Sequence, residues 1–461
     1  MPHFRSSRLN ALLDRAAVAL KAQWLMLSNA WFATVASASS AVLGFLFWSL
    51  CSRSFSAENV GLASATISAL NLVALLAELG LATLLMGHVA NDGKIRRGMI
   101  SAAVLIGIAS ATLAAVLWLQ LVFGFNLQTG AVVAGHLPSL IFTAGVVIAA
   151  VALIVDGALF GLLRTILHMY RELVFAICKI VLLLGLIYFV SPENPSTGIL
   201  TVWVVSGFLA LAFLALLVKR RGARIAHRPE MASIVALFPT SLEYHFLNIA
   251  ASASAIAMPL LVAEVVSPEV NAVFFLAWMM VHVALLATDS LATAVFAIEK
   301  FDANGRANRV GFALLASTLV CLGGTLAYVL LVEHVLAILN PTYPQIAGPS
   351  LKYLGLGMLA WSVKALFMAV MRLEGRMTYA TVVFAVGGVA ELIAAAVGGA
   401  LYGLAGLIGA LLIGLYAQAI VMLPPILRAA NVPSLLGSWL HGLVRPLPLP
   451  ASKRVTPGDV D

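Results

Sequence analysis

Charge is scarce in this sequence. Of its 461 residues only 10% are Asp, Glu, Lys or Arg, while 62% are hydrophobic; a soluble globular chain carries roughly 25% charged residues. An ordinary water-soluble globule is therefore excluded. Cysteine is scarcer still, with Cys51, Cys178 and Cys321 alone, and their spacing fits neither a disulfide framework nor a zinc site. Each reads as a small apolar packing residue. Runs of about ten residues with alternating polarity, the mark of a membrane β-barrel, are missing. So are polar loops of domain size, which leaves no room for a soluble catalytic domain. The nearest approach to a phosphate-binding loop, Gly87-His88-Val89-Ala90-Asn91-Asp92-Gly93-Lys94-Ile95, has one residue too many between its glycines and an Ile where a hydroxyl is required. The closing Asp459-Val460-Asp461 stands at the end of a proline-rich tail. No catalytic residue, metal site or cofactor is expected.

What is present is a series of apolar runs long enough to cross a bilayer, whose core of about 30 Å needs about 20 residues of helix. We read about twelve spans, among them Leu25–Leu50, Val60–Met86, Glu172–Val190, Ser241–Val266, Met377–Leu401 and Gly403–Leu427. The expected fold is an all-α polytopic membrane protein, two six-helix bundles related by a pseudo-two-fold axis. Residues 1–24 form an amphipathic basic segment at the interface, 25–218 the first bundle, 219–231 a basic linker, 232–427 the second bundle and 428–461 a partly disordered tail. The net charge of +8 does not point to nucleic acid, because the basic residues sit in the termini and in alternate loops. Lys94, Arg96 and Arg97, then Arg164 and Arg171, the Lys219–Arg228 island, Lys300, Arg306 and Arg309, and Arg372 and Arg376 all fall on one side. That is the positive-inside pattern, which predicts both termini in the cytoplasm.

The two halves share a segment. Val73–Thr83 matches Val283–Thr293 at eight of eleven positions, a shift of 210 residues, as expected for a duplicated transporter bundle.

A charge at the bilayer centre costs on the order of 3 kcal/mol, so such residues face a cavity or a partner. The first half holds Glu78, Asp156 and Lys179; the second holds Glu243, Asp289, Lys364 and Glu391, with His245 and His282 nearby. Arg53 and Lys352 fall close to the face opposite the basic loops. Pro239 and Pro259 lie around the seventh span, where proline removes a backbone hydrogen bond and kinks the helix. Pro259 is therefore the expected hinge, or a static bend that shapes the cavity.

At the end of the first span, Gly44-Phe45-Leu46-Phe47-Trp48-Ser49-Leu50-Cys51-Ser52-Arg53-Ser54-Phe55-Ser56-Ala57-Glu58-Asn59-Val60-Gly61 resembles the Wzx-type oligosaccharide-lipid flippases. Their multidrug/oligosaccharidyl-lipid/polysaccharide (MOP) superfamily also holds the MATE drug exporters and the MurJ lipid II flippase. Ser40–Trp48 further resembles the first-span motif of lipid II flippases. Ala41 and Phe47 stand at its two cationic places and Trp48 at its acidic one, which argues against lipid II itself.

The resemblance implies a flippase that moves a polyprenyl-diphosphate-linked oligosaccharide across the cytoplasmic membrane of a bacterium by alternating access, for cell-surface polysaccharide biosynthesis. Membrane lipids are its surroundings, H⁺ or Na⁺ its coupling ion, and a polysaccharide polymerase and glycosyltransferases its working partners. Arg53, Lys179 and Lys364 would handle the diphosphate headgroup. Glu78, Asp156, Asp289 and Glu391, carboxylates held out of water, would serve ion coupling. Each is equally readable as half of a structural ion pair. A MATE-type cation-coupled drug exporter is the alternative within transport, and a membrane-embedded glycan polymerase or glycosyltransferase the alternative from another class.

Overall fold

A computed structural model describes residues 32, 35–91, 94–95, 97–189, 194–222, 227–298 and 306–431. The expected interfacial segment at 1–24 and nearly all of the tail at 428–461 lie outside the described residues. The described residues form helices and their connecting turns, apart from a short ribbon, β1 (Ala90–Asn91) with β2 (Lys94–Ile95). The first half contains α1 (Val35–Ser54), α2 (Ala57–Ala77), α3 (Leu81–His88), α4 (Arg97–Gly124), α5 (Gly130–Val133), α6 (His136–Gly161), α7 (Thr165–Phe189) and α8 (Pro195–Arg220). The second contains α9 (Met231–Val265), α10 (Pro268–Ile298), α11 (Arg306–Leu339), α12 (Tyr343–Ala347), α13 (Leu351–Leu354), α14 (Gly357–Leu373) and α15 (Met377–Ala429).

Among the described residues eleven helices are long and apolar enough to cross a membrane. One of them crosses twice. α15 has 53 residues, about 80 Å if straight at 1.5 Å per residue, far beyond a 30 Å bilayer core. Tyr402 (φ −134°, ψ 18°) and Gly403 (φ 60°, ψ −150°) reverse it. The two arms then pack so closely at Gly398 and Gly406 that a Cβ on either would lie 2.3 or 2.2 Å from the other's carbonyl oxygen. Gln418 Nε2 donates to Val383 O across the arms at 2.9 Å. The described residues therefore hold twelve segments of membrane-crossing length, and the last two divide where the sequence places the division, between Leu401 and Gly403.

Two boundaries differ from expectation. The second span is broken, because Leu79 (φ 53°) and Gly80 (φ 76°) are both left-handed and start a new helix, α3. A Cβ on Gly80 would meet Ser241 O at 2.7 Å, so this break is moulded against α9. α7 begins at Thr165 rather than Glu172, which draws Arg171 out of the loop into a helix. The seventh span runs from Ser241 to Val265 as expected, carried by α9, which begins earlier, at Met231, and runs as one helix through Pro239 and Pro259.

Two equivalent helices end in the same turn, one that also closes α4 at Asn126. After α6, Leu162, Leu163 and Arg164 donate their N–H groups to the carbonyls of Ala158, Phe160 and Leu159; after α14, Glu374, Gly375 and Arg376 donate to Val370, Arg372 and Met371. The register is the same, and the middle residue is left-handed in both, Leu163 at φ 52° and Gly375 at φ 67°. Leucine is strained there and glycine is not. Leu163→Gly is therefore expected to raise stability by about 0.5–1 kcal/mol, read as a higher midpoint in thermal unfolding of the detergent-solubilised protein.

The lobes meet along α2 and α10. Gly61 O accepts a hydrogen bond from Asn271 Nδ2 at 2.8 Å, and the two residues are 210 apart, the shift of the sequence repeat. A Cβ on Gly61 would lie 1.7 Å from Pro268 O, so only glycine permits this approach.

Candidate functional site

Between the lobes, from the level of Pro259 and Trp203 towards the basic-loop face, lies a cavity of about 850 Å³ lined by both halves. Its first-lobe wall carries an ionic cluster. Arg171, buried in α7, grips Asp156 on α6 through two parallel bonds, Nε to Oδ1 at 3.0 Å and Nη2 to Oδ2 at 2.5 Å. The same Nη2 reaches Glu172 Oε1 at 2.5 Å. His168 Nδ1 lies 2.9 Å from Asp156 Oδ1, and Ser40 of α1 donates to Glu172 Oε2 at 3.1 Å. Asp156, His168 and Glu172 offer ligand atoms within 4.8 Å of one another, a donor set a cation could use. Arg171 already supplies the positive charge at that place. A side pocket of about 360 Å³ between α1 and α7 adjoins the cluster and shares Glu172 with the main cavity.

The second lobe repeats the scheme with its signs exchanged. Lys364 on α14, which lines the cavity, donates to both oxygens of Glu391 on α15 at 2.8 and 3.1 Å. Ser254 Oγ approaches the same carboxylate at 3.4 Å. The base now stands on the helix equivalent to α6 and the acid on the helix equivalent to α7. Lys179 and Glu391 each lie fifteen residues past the arginine that ends the repeated turn. They occupy matching positions with opposite charge.

Aromatic rings make the rest of the wall. Trp278 packs edge-on to Trp361 at 5.1 Å between centroids and lies 4.8 Å from His282. On the other side Trp203 stands edge-on to Phe175 at 5.2 Å, and Trp48 bridges the lobes to Phe275 at 4.8 Å. Phe47 and Trp48, which replace charged residues of the lipid II motif, are thus buried in this aromatic layer.

The predicted site residues separate into four environments. Lys364, Asp156, Asp289 and Pro259 line the cavity, and Glu391 lies behind its wall, paired with Lys364. Lys179 is 2% exposed and does not line the cavity; its Nζ lies over Phe175, Trp203 and Phe47 at 4.9, 5.0 and 5.7 Å from the ring centroids. Glu78 lies at the interlobe break instead. It accepts from Ala82 N at 2.9 Å and meets His245 Nδ1 of α9 at 3.0 Å, both side chains buried. Arg53 is remote from the cavity at the face opposite the basic loops, where Nη2 donates to Ile338 O at 3.0 Å. The expected trio Arg53, Lys179 and Lys364 is not brought together.

Arg53 instead belongs to a pair of interlobe clasps. On one side of the axis the end of α1 binds the α11–α12 turn, Arg53 to Ile338 and Asn340 Nδ2 to Ser52 O at 3.1 Å. On the other side the end of α9 binds the α4–α5 turn. There Glu264 accepts from Gln128 N at 2.6 Å, Thr129 N at 3.0 Å and Thr129 Oγ1 at 2.9 Å.

The residues that sequence reading missed are Arg171, His168 and Glu172. A signal was present: His168, Glu172, Phe175 and Lys179 follow one another at intervals of four, three and four, one face of a helix.

No protein-family profile matches the chain, and no curated protein matches it. Solved structures do. The inward-facing conformation of a multidrug resistance MATE family transporter of the MOP superfamily superposes with a TM-score of 0.64 at 14% identity, over 87% of this chain and 95% of that one. The outward-facing conformation of such a transporter gives 0.60 at 15%, over 88% and 96%. A MOP superfamily transporter from Pyrococcus furiosus, described as having a binding pocket of reversed polarity, gives 0.60 at 16%, over 87% and 95%. This chain has the two-lobed fold of the MOP-superfamily transporters.

Proposed function

We propose that this protein is a flippase that carries a polyprenyl-diphosphate-linked oligosaccharide from the basic-loop side of the cytoplasmic membrane to the other leaflet, by alternating access, for cell-surface polysaccharide assembly. The observation that carries the reading is the composition of the interlobe cavity. Rings of Trp203, Trp278 and Trp361 offer faces on which sugars stack, while Ser68, Asn71 and Ser252 offer hydrogen bonds to hydroxyls. Arg171 and Lys364 line the same cavity, one from each lobe. Both are held by carboxylates, and a diphosphate competes for them through the same charge-assisted bonds. A volume of about 850 Å³ suits a headgroup of a few sugars, within the range of about 300–1,000 Å³ for ligand sites, and leaves the polyprenyl tail in lipid. Asp289, and Asp156 beside its partner Arg171, reach the cavity and are the carboxylates this reading assigns to H⁺ or Na⁺ coupling; Glu78, paired with His245, lies away from the cavity. The polymerase and glycosyltransferases that make and use such a glycan are the partners this reading implies.

A cation-coupled exporter of lipophilic cations is the second reading, favoured by one observation: Asp156, Glu172 and Asp289 give the lining three carboxylates against two cations. Vesicles holding the purified protein and a fluorescent polyprenyl-diphosphate oligosaccharide separate the two. Movement of the intact glycan between leaflets is expected, and it should stop when the imposed ion gradient is collapsed. Efflux of cationic dyes without glycan movement would establish the exporter, and a lengthened glycan would establish a polymerase.

A further inference from the structure

Beyond the cations that line the cavity, α7 holds one more. Glu172 and Phe175 on its polar face line the cavity; Lys179, the next turn along that face, is sealed off. Phe175 and Trp203 do the sealing, since the two rings border the cavity and also stand within 4.9 and 5.0 Å of the ammonium. Among the described residues no carboxylate lies within ion-pair distance of Lys179 and no acceptor takes its hydrogen bonds. The rings compensate the charge through their π faces. Neither ring supplies an oxygen to the N–H donors of the ammonium. Gly44 of α1 borders the ammonium, for a Cβ there would come into ordinary contact with Lys179 Nζ and Met279 Cε, each at 3.7 Å.

The geometry points to Lys179 as an anion-binding position at the blind end of the cavity, covered by Phe175 and Trp203 and filled by the phosphate of a diphosphate ester when those rings turn aside. The identity of the cargo rests on the transport reading above; the anion position does not. Arg171 and Lys364 greet the anion in the open part of the cavity with carboxylates competing against it. Lys179 then offers a charge that no carboxylate pairs with directly, Glu172 acting on it only from a distance. The aromatic cover makes the position selective, because a ligand gains the ammonium only by entering deeply enough to displace Trp203.

Tryptophan fluorescence of the full-length protein in detergent tests this, titrated with inorganic pyrophosphate and separately with farnesyl diphosphate. A saturable change is expected in the parent protein and should be lost in W203F. In K179Q the affinity should fall about ten-fold or more, the loss of one hydrogen bond to a charged group, while K179R keeps it. F175L, which thins the cover and keeps the charge, should bind at least as tightly as the parent. A response to farnesyl diphosphate alone assigns the position to a lipid-borne anion, and a response to pyrophosphate as well extends it to a free one. No response to either, or equal affinity in K179Q, overturns the proposal; should K179Q fail to give monodisperse protein, weaker binding in F175L overturns it instead. Leaflet movement keeps the two readings apart. K179Q that still moves the glycan lipid removes Lys179 and leaves the flippase, whereas anion binding in a protein that moves nothing does the reverse.

Discussion

Lys364→Met should destabilise the protein by about 3–5 kcal/mol, because it leaves the Glu391 carboxylate buried without its counter-ion. Glu391 is 2% exposed, and its remaining neighbour, Ser254 at 3.4 Å, offers only a long hydrogen bond. The double variant Lys364→Met with Glu391→Met removes both charges and fills similar volume, so most of the stability should return. Transport should not return, since the cavity then lacks its second-lobe cation. Thermal unfolding in detergent, followed beside leaflet movement in vesicles, reads both effects. A single variant as stable as the parent would mean that the ammonium does not balance the carboxylate, and recovery of transport in the double variant would take Lys364 out of substrate handling.

The second large effect concerns the face opposite the basic loops. Arg53→Ala and Glu264→Ala each undo one clasp, and the clasps lie on either side of the axis with no residue in common. Their effects should therefore add. Cys51 is a native reporter. It is 0% exposed beside Ser52 and Arg53, and separation of the lobes at this face uncovers it. In a background with Cys178 and Cys321 replaced by serine, maleimide labelling of Cys51 should quicken by about ten-fold or more in the double variant, which removes from the closed state the hydrogen bond of Arg53 and the three of Glu264. Each single variant should fall between. Unchanged labelling would show that the α2–α10 contact alone holds this face shut.

Much of this was legible from apolar run lengths and punctuation. Gly403 marked the reversal inside α15 because a glycine between two runs of bilayer length has room for a left-handed turn. The 210-residue shift marked the two lobes, and it reappears as the contact of Gly61 with Asn271. Other features were hidden for physical reasons. The break at Glu78-Leu79-Gly80 lies inside a continuous apolar run, and what fixes it is Ser241 and His245, far away in sequence. Arg171 read as a loop residue because the stretch from Thr165 to Arg171 is too polar to resemble a span, yet its arginine is neutralised by Asp156 and Glu172 and can be buried. Arg53 was assigned to a headgroup because a cation at a helix end looks the same in sequence whether its acceptor is a phosphate or the backbone carbonyl of Ile338.

The clasps also bear on how the two halves recognise each other. The end of the first half's leading helix offers a donor, Arg53, and finds a carbonyl; the end of the second half's offers an acceptor, Glu264, and finds amides. Two copies of the first half would set guanidinium against the N–H groups of Gln128 and Thr129. Two copies of the second would set carboxylate against the carbonyl of Ile338. Each mispairing brings like against like, so the descendants of one duplicated unit have become complementary halves, each fitted to the other and no longer to itself.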